Sequence, residues 1–179
     1  GDVPPNLRFE LRPSAELVEP PKSVDVVTTT FVNHEIFPDA NFVEFLRRVR
    51  RVGRKAFVFN DYVRSPGCLA GVALMSSVAG YLHKAPGVAA WLPGALQARA
   101  ADFLSQPPSV QRLLLDGAYQ SMRRSFTMGE YEALFRQAGY PEGALRCGQR
   151  GHWSLQDLLG AGCRVACRAD LSMGEAHAA

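Results

Sequence analysis

The fold is decided by the stretch Val24–Asp61, which reads VDVVTTTFVNHEIFPDANFVEFLRRVRRVGRKAFVFND. It begins with valines and threonines that predict a buried strand, Val24–Thr30. After a polar turn, apolar residues recur at helical spacing and predict a helix that begins at Pro38-Asp39 and ends at Gly53. A second apolar strand, Ala56–Asn60, follows. Strand, helix and strand together predict a βαβ unit in a parallel sheet.

Polar side chains follow both predicted strands at the point where each strand ends. Those after the first strand are Thr29, Thr30, Asn33 and His34, and those after the second are Asn60, Asp61 and Arg64. Ligands of parallel sheets bind at the carboxyl ends of the strands. The sequence therefore predicts a site at this edge.

Composition favours one globular domain, or part of a larger one. The chain has 179 residues, a hydrophobic fraction of 47% and a net charge of +3, so bulk electrostatics demands neither nucleic acid nor a membrane. The longest apolar run, Cys68–Leu82, is too short to span a bilayer and predicts a buried helix.

The cysteines predict no metal site. Cys68, Cys147, Cys163 and Cys167 have no CxxC spacing, and no paired histidines accompany them. We interpret them as reduced thiols of an intracellular, cytoplasmic protein.

Outside the βαβ unit, turn residues divide the chain into further elements. Leu7–Leu11 alternates apolar and polar residues and predicts a short strand. Ser65-Pro66-Gly67 opens a helical region, roughly 67–121, which three pairs of breakers divide into three or four packed helices. The breakers are Pro86-Gly87, Pro93-Gly94 and Pro107-Pro108.

The C-terminal part predicts a helix and two closing strands. Thr127-Met128-Gly129-Glu130 fits a capping box, and Gly139 ends the helix that follows it. The closing strands are Ala144–Cys147 and Val165–Ala169, with a short helix, Ser154–Leu159, between them. From Ser172 onward we expect a disordered tail.

A basic run near the end of the first helix predicts a solvated helix face rather than a nucleic-acid site. No aromatic residues are interleaved with these cations, which suit the C-terminal end of a helix dipole. They are Arg47, Arg48, Arg50, Arg51, Arg54 and Lys55.

Several motifs resemble the later part of class I S-adenosylmethionine-dependent methyltransferases. Val26–Phe31, the turn with His34 and Phe57–Asp61 resemble the fourth and fifth strands of that family. Arg123–Thr127 and the helix ending at Gly139 resemble the segment before its last two strands. The nearest likeness is to the branch that methylates phenolic, polyketide or quinone-type acceptors, in which Asn-Asp ends the fifth strand and an Arg-Ser pair follows, as Arg64-Ser65 does here.

The resemblance implies roles for particular residues. Ser14 and Ala15 would contact the adenine of S-adenosylmethionine, and Thr29, Thr30 and Phe31 its methionine and sulfonium region. His34 and Asp61 would be catalytic, because an imidazole can accept a phenol proton near neutral pH. The helical region, about 66–121, would form a lid over the acceptor. Asn60, Arg64, Met75 and Tyr119 would bind that acceptor, with oxygen as the expected site of methylation.

The chain departs from the family in one respect: no glycine-rich loop precedes its first recognisable strand. The expected fold is therefore α/β, a Rossmann-like class I methyltransferase fold that lacks the first βαβ unit, over residues 1–171. We expect the chain alone to bind S-adenosylmethionine weakly. We also expect the open edge of Val24–Thr30 to cause self-association or to require a chain that supplies the missing strands.

Two alternatives stay open at this point. A non-catalytic relative could keep the fold for protein interaction, which the absent loop favours. Another Rossmann-like enzyme, such as a nicotinamide-dependent reductase, is disfavoured because the chain has neither a phosphate loop nor a Tyr-x-x-x-Lys pair.

Overall fold

A computed structural model describes residues 10–11, 17–149 and 164–172, which mix helices with a four-stranded sheet. The strands are β1 (Val24–Thr30), β2 (Gly53–Tyr62), β3 (Leu145–Gln149) and β4 (Arg164–Asp170). The α-helices are α1 (Asp39–Val52), α2 (Pro66–Lys84), α3 (Gly94–Ser105), α4 (Pro108–Arg124) and α5 (Met128–Gln137). Single 3₁₀ helices cover Asn33–Glu35 and Pro86–Trp91.

The predicted βαβ unit is confirmed, because β1 and β2 are parallel neighbours joined by α1. The strands lie in the order β1-β2-β4-β3, and β4 is antiparallel to both of its neighbours. Strand β2 is longer than the sequence predicts. It pairs with β1 from Gly53 onward and with β4 as far as Tyr62, so neighbours on both sides extend it.

The core lies between the sheet and the helices α1 and α5. The apolar stripe of α1 packs on alternate residues of β2 and β4 and on the buried side of α5. Aromatic rings dominate this cluster: Phe42, Phe45, Phe57, Phe59, Phe126, Tyr131, Phe135 and Tyr140. Asp61 is the next β2 residue on the same side as Phe57 and Phe59, so the core positions its carboxylate.

Two glycines and one cap explain where the helices begin and end. A Cβ at Gly53 would lie 2.4 Å from Leu171 and 2.9 Å from the Val49 carbonyl, so the junction of α1 and β2 needs glycine. The predicted capping box is present, with both Thr127–Glu130 hydrogen bonds formed. Gly139 follows α5 with φ +86°, a conformation that favours glycine.

The helical region between β2 and α5 consists of three α-helices and one 3₁₀ helix, in agreement with the predicted three or four. None of the helices within the described ranges has the length and apolar character needed to cross a membrane. The role of this helical region as a lid stays a prediction. The lack of a first βαβ unit and the domain limits also stay predictions. The strand at residues 7–11 lies almost wholly outside the described residues, and the helix predicted at 154–159 and the tail from residue 173 lie outside them altogether.

The interpretation of the cysteines as reduced thiols is wrong for two of them. Cys147 and Cys167 face each other across the antiparallel pair β3–β4 and form a disulfide. Their separation of 20 residues carries no motif, and only the register of the two strands brings the sulfur atoms together. Cys68 is a buried thiol that forms no disulfide, as predicted. Cys163 lies outside the described residues.

The basic run has local partners on and beside α1. Arg48 pairs with Glu44 one turn away, and Arg54 pairs with Asp25 of β1. Arg51 donates to the Glu19 carbonyl at 2.9 Å. These pairings support the predicted solvated face.

Candidate active site

The candidate site forms where β1 and β2 end side by side. Phe31 follows β1 with φ +52°, and its backbone N–H donates to the Asn60 carbonyl at 2.8 Å. The chain then turns through the 3₁₀ helix Asn33–Glu35. This left-handed residue and short helix bring His34 over the end of β2.

The centre of the site is a buried hydrogen bond between His34 and Asp61. Nδ1 of His34 lies 2.6 Å from Oδ1 of Asp61, and the His34 backbone N–H donates to Oδ2 at 3.2 Å. Asp61 is 0% exposed and His34 is 5% exposed. The Asp61 carboxylate also accepts the N–H of Tyr62 at 2.8 Å. Since the carboxylate accepts a hydrogen bond in each of these three contacts, Nδ1 of His34 is the donor and carries a proton.

A chain of charges connects this pair to the surface. Nε2 of His34 lies 3.3 Å from Oε1 of Glu35, which is about half exposed. The other Glu35 oxygen lies 3.3 Å from Nη1 of Arg124, at the end of α4. The second nitrogen of the imidazole therefore faces outward, toward a carboxylate that solvent reaches.

The two carboxylates raise the pKa of His34 above its ordinary 6.5. Burial lowers this pKa, but the hydrogen bond and charge of Asp61, together with the charge of Glu35, raise it by more. Arg124 opposes the rise slightly. An imidazole with a raised pKa is a stronger proton acceptor, and protonated His34 is stabilised by the carboxylate beside it.

Two polar groups are buried beside the pair: the Nδ2 amide nitrogen of Asn33 and the hydroxyl of Tyr131 on α5. Burial and the negative charge of Asp61 raise the pKa of Tyr131, so its hydroxyl keeps its proton, and the side chains of Asn33 and Asp61 both interact with that hydroxyl. Thr29 donates to Oδ1 of Asn33 at 2.9 Å. These side chains form one polar cluster beside the imidazole.

An aromatic surface adjoins the imidazole. The rings of Phe31 and Tyr62 lie 5.0 Å apart, and the His34 ring meets Tyr62 edge-on at 5.4 Å. The three rings come from the turn after β1 and from the end of β2. They give the site an apolar wall beside its charged pair.

The structure brings most of the predicted site residues to this edge. Thr29, Thr30 and Phe31 lie at the end of β1, and Asn60 and Asp61 lie beside them on β2. Thr30 is exposed and is the register partner of Asn60.

Arg64, which the resemblance assigns to acceptor binding, pairs with a carboxylate of α5. Nη2 of Arg64 lies 2.5 and 2.7 Å from the two carboxylate oxygens of Glu130, the capping-box residue of α5. This ion pair ties the chain after β2 to α5, and Asp61 is left to His34.

Four predicted residues either belong to the helical region or lie outside the described residues. Tyr119 is a partly exposed residue of α4, and Arg123 lies over its ring at 5.8 Å. Met75 lies on α2, and its side chain is outside the described part of the chain. Ser14 and Ala15 also lie outside it, so their adenine contact stays a prediction.

Sequence reasoning missed Tyr62 and Tyr131. Tyr62 follows Asp61 directly at the strand end, and this adjacency in sequence is the signal that could have found it, although the strand period places the two side chains on opposite faces. Tyr131 lies on the apolar stripe of α5, and no sequence signal separates it from an ordinary core tyrosine. Across the described ranges, no group of three potential metal ligands comes together.

Comparison with known proteins gives only distant structural likenesses. The sequence matches no known protein family and no curated protein. A solved protein from Nostoc punctiforme, provisionally assigned as an O-methyltransferase, shares 14% identity with a TM-score of 0.45 over 89% of this chain and 35% of its own. A protein from Bordetella parapertussis, suggested to be exported, shares 16% identity with a TM-score of 0.47, over 89% and 42%. The chain spans less than half of either, and likenesses at this level establish neither family nor activity.

Proposed function

We propose that the protein transfers a methyl group from S-adenosylmethionine to a hydroxyl of a small phenolic, polyketide or quinone-type acceptor. The observation that carries the proposal is the buried His34–Asp61 hydrogen bond at the carboxyl ends of two adjacent parallel strands. The motifs that resemble class I methyltransferases supply the reaction type, and the parallel pair corresponds to their fourth and fifth strands.

In this proposal His34 is the general base and Asp61 orients it. Asp61 accepts a hydrogen bond from Nδ1–H and fixes the tautomer, so that the lone pair of Nε2 points outward. Nε2 would take the proton of the acceptor hydroxyl while the oxygen bonds to the methyl carbon and the C–S bond of the cofactor breaks, with S-adenosylhomocysteine as the leaving group. The imidazolium that results is stabilised by Asp61. Positioning supplies the larger part of the rate, because methyl transfer needs an in-line approach more than proton transfer.

The described residues fit the reactive end of the cofactor. When bound, S-adenosylmethionine supplies an electrophilic methyl group on a sulfonium cation. The Phe31 and Tyr62 rings offer a surface that attracts such a cation. Thr30, exposed at the strand end, would line the same region.

A second candidate is a non-catalytic interaction protein that keeps this fold. The observation that favours it is the environment of Nε2, which faces the Glu35 carboxylate at 3.3 Å on a residue that is almost fully buried. In that case the charges of Asp61, His34, Glu35 and Arg124 only hold the turn to α4. The two candidates differ in whether His34 affects turnover or stability alone.

Methyl transfer can be measured directly by mass spectrometry. The chain is incubated with millimolar ¹³C-methyl-labelled S-adenosylmethionine and a set of phenols and hydroxyquinones, and S-adenosylhomocysteine and labelled ether are quantified. We expect product from the parent and about a hundredfold less from His34→Gln, the usual size of a general-base effect. His177→Gln, near the end of the sequence, is the matched control and should keep full turnover.

Equal turnover in His34→Gln and the parent would overturn the role of His34 as general base and leave it as a structural residue. The absence of labelled product, together with no cofactor binding at millimolar concentration by calorimetry, would favour the non-catalytic candidate.

A further inference from the structure

Strand β3 lies at the edge of the sheet and depends on one neighbouring strand. Within the described residues β3 pairs with β4 alone, through five register pairs. Leu145 and Cys147 are partly buried and pack against the margin of the core. A short strand with one neighbour opens at a lower free energy than a strand that has neighbours on both sides.

The pairing between β3 and β4 contains two weak positions next to each other. Arg146 and Arg168 are exposed and lie directly opposite each other on the two strands. Like charges in this arrangement destabilise a strand pair. One position on from the Cys147–Cys167 pair, Gly148 lies opposite Ala166 and offers no side chain for packing across the strands.

One carboxylate offsets the two arginines only in part. Asp170 lies two residues beyond Arg168 on β4, and its register partner is Ala56 on β2 rather than a residue of β3. Hydrogen bonds from Ser172 lower the pKa of the Asp170 carboxyl most, and the charges of the two arginines lower it further. Its Oδ1 accepts from the N–H and the hydroxyl of Ser172 at 2.9 and 2.6 Å, so this carboxylate is already committed to a neighbour on its own strand end.

A covalent bond compensates for the weak pairing. Cys147 and Cys167 lie directly opposite each other, between the arginine pair and the glycine, and form a disulfide. Cys167 is 2% exposed, whereas Cys147 is only partly buried, so an external thiol reaches the sulfur of Cys147 first. The bond that holds the edge strand is therefore one that reduction can remove.

We propose that the Cys147–Cys167 disulfide is a redox switch, which holds β3 on the sheet when oxidised and releases it when a dithiol reduces it. A thiolate of the dithiol attacks Sγ of Cys147, and Sγ of Cys167 leaves as a thiolate. The second thiol of the reductant then displaces Cys147, and the reductant becomes a cyclic disulfide. Two electrons pass to the protein, and the two protons of the dithiol end on the two cysteines.

The released strand lies one strand away from the candidate site. Gln149 at the end of β3 is the register partner of Val165, and Val165 is the register partner of Asp61. Release of β3 makes β4 an edge strand at the residue opposite Asp61. The redox state therefore changes the support of the sheet at the edge that carries the site, whichever ligand the site binds.

Hydrogen exchange followed by mass spectrometry tests the switch on the full chain without an assay of activity. Protein oxidised with oxidised glutathione is compared with protein reduced by millimolar dithiothreitol. We expect the amides of residues 145–149 to exchange about tenfold faster or more after reduction, because the disulfide no longer opposes local opening. The amides of α1 should keep their rate, and reoxidation should restore the protection of β3. Cys147→Ser/Cys167→Ser should behave as the reduced protein in both conditions.

Two single variants serve as control and as test of the charge pair. Cys163→Ser keeps both bonded cysteines and should respond to reduction as the parent does. Arg146→Glu replaces the repulsion by an attraction to Arg168, and it should slow the exchange of reduced β3 by about twofold or more relative to the reduced parent.

Three results would overturn the proposal. The first is equal exchange of β3 in the oxidised and the reduced parent. The second is a loss of protection in α1 on reduction, which would make the disulfide a support of the whole fold. The third is peptide mapping of the oxidised protein that finds Cys147 and Cys167 unbonded to each other.

Discussion

The sheet with its packed helices and the helical region bury apolar side chains to very different degrees. The α/β body, which comprises β1–β4, α1 and α5, encloses a continuous cluster of aromatic rings. The helical region, residues 66–124, contributes Cys68 and Met122 to a small cluster and leaves Leu74, Tyr81, Trp91 and Leu113 exposed among its described side chains.

This difference in burial indicates which region supplies most of the stability. The body needs no further partner to bury the side of its sheet that faces α1 and α5, so the free energy of unfolding comes mainly from there. Among the described side chains, the helical region leaves more large apolar groups exposed than the body does. His34 and Asp61 lie at the boundary: the body fixes the aspartate, and the turn toward α4 carries the histidine.

Truncation of a core ring should give the largest effect. It tests whether the α/β body stabilises the protein more than the helical region does. Phe57→Ala in β2 should lower the free energy of unfolding by about 3–5 kcal/mol, the usual cost of a large cavity. Leu74→Ala in α2 should change it by less than about 0.5 kcal/mol. Urea denaturation followed by circular dichroism measures both. Comparable losses would mean that the helical region contributes to the core as much as the body does.

Removal of the buried carboxylate tests the boundary between the two regions. Asp61→Ala leaves His34 and two backbone donors without their acceptor and should cost about 3 kcal/mol. A double-mutant cycle with His34→Gln should give a coupling energy of about 1 kcal/mol or more. Additive losses would show that the two side chains stabilise the protein independently. Asp25→Ala, an exposed ion-pair partner on β1, is the control and should have a much smaller effect, because solvent screens the pair.

Much of the fold could be predicted from the sequence because local signals agree with the packing. The period of Phe42, Leu46 and Val49 predicted α1, and Thr127 with Glu130 predicted the start of α5. The meeting of His34 and Asp61 at one edge also followed, because parallel strands place their carboxyl ends together.

The contacts that could not be predicted depend on register and on competition between partners. Asp61 pairs with His34 rather than with Arg64, because Glu130 lies within reach of Arg64 once α5 packs on the sheet. Cys147 meets Cys167 only because β3 and β4 align these two residues. Neither pairing leaves a signal in residue spacing.

Removal of one helix cap in each region compares the stability of the body and of the helical region with smaller expected effects. Thr127→Ala removes the cap of α5 in the body and should cost about 1 kcal/mol in global unfolding. Ser65→Ala removes the cap of α2. Because local opening of the helical region does not require the body to unfold, this loss should be largest in hydrogen exchange of the α2 amides. Equal effects of both variants on global unfolding would indicate one cooperative unit.

The smallest expected effect is a dependence of stability on pH. Since the pKa of His34 is raised in the folded protein, its contribution is fully present below about pH 6.5 and is lost as pH rises through the raised pKa. The difference in free energy of unfolding between the parent and His34→Gln should therefore shrink from pH 6 to pH 8. A difference that grows over this range would show that neutral His34 is the favoured form.

The central claim, a ligand site built on His34 and Asp61, is tested most directly by an NMR titration of the His34 imidazole. Long-range ¹H–¹⁵N spectra are recorded between pH 5 and pH 9, with and without millimolar S-adenosylmethionine. We expect a pKa of His34 above 6.5 in the free protein. We expect a lower pKa when the cofactor is present, because a sulfonium cation nearby disfavours the imidazolium. A pKa at or below 6.5 that the cofactor leaves unchanged would contradict the account.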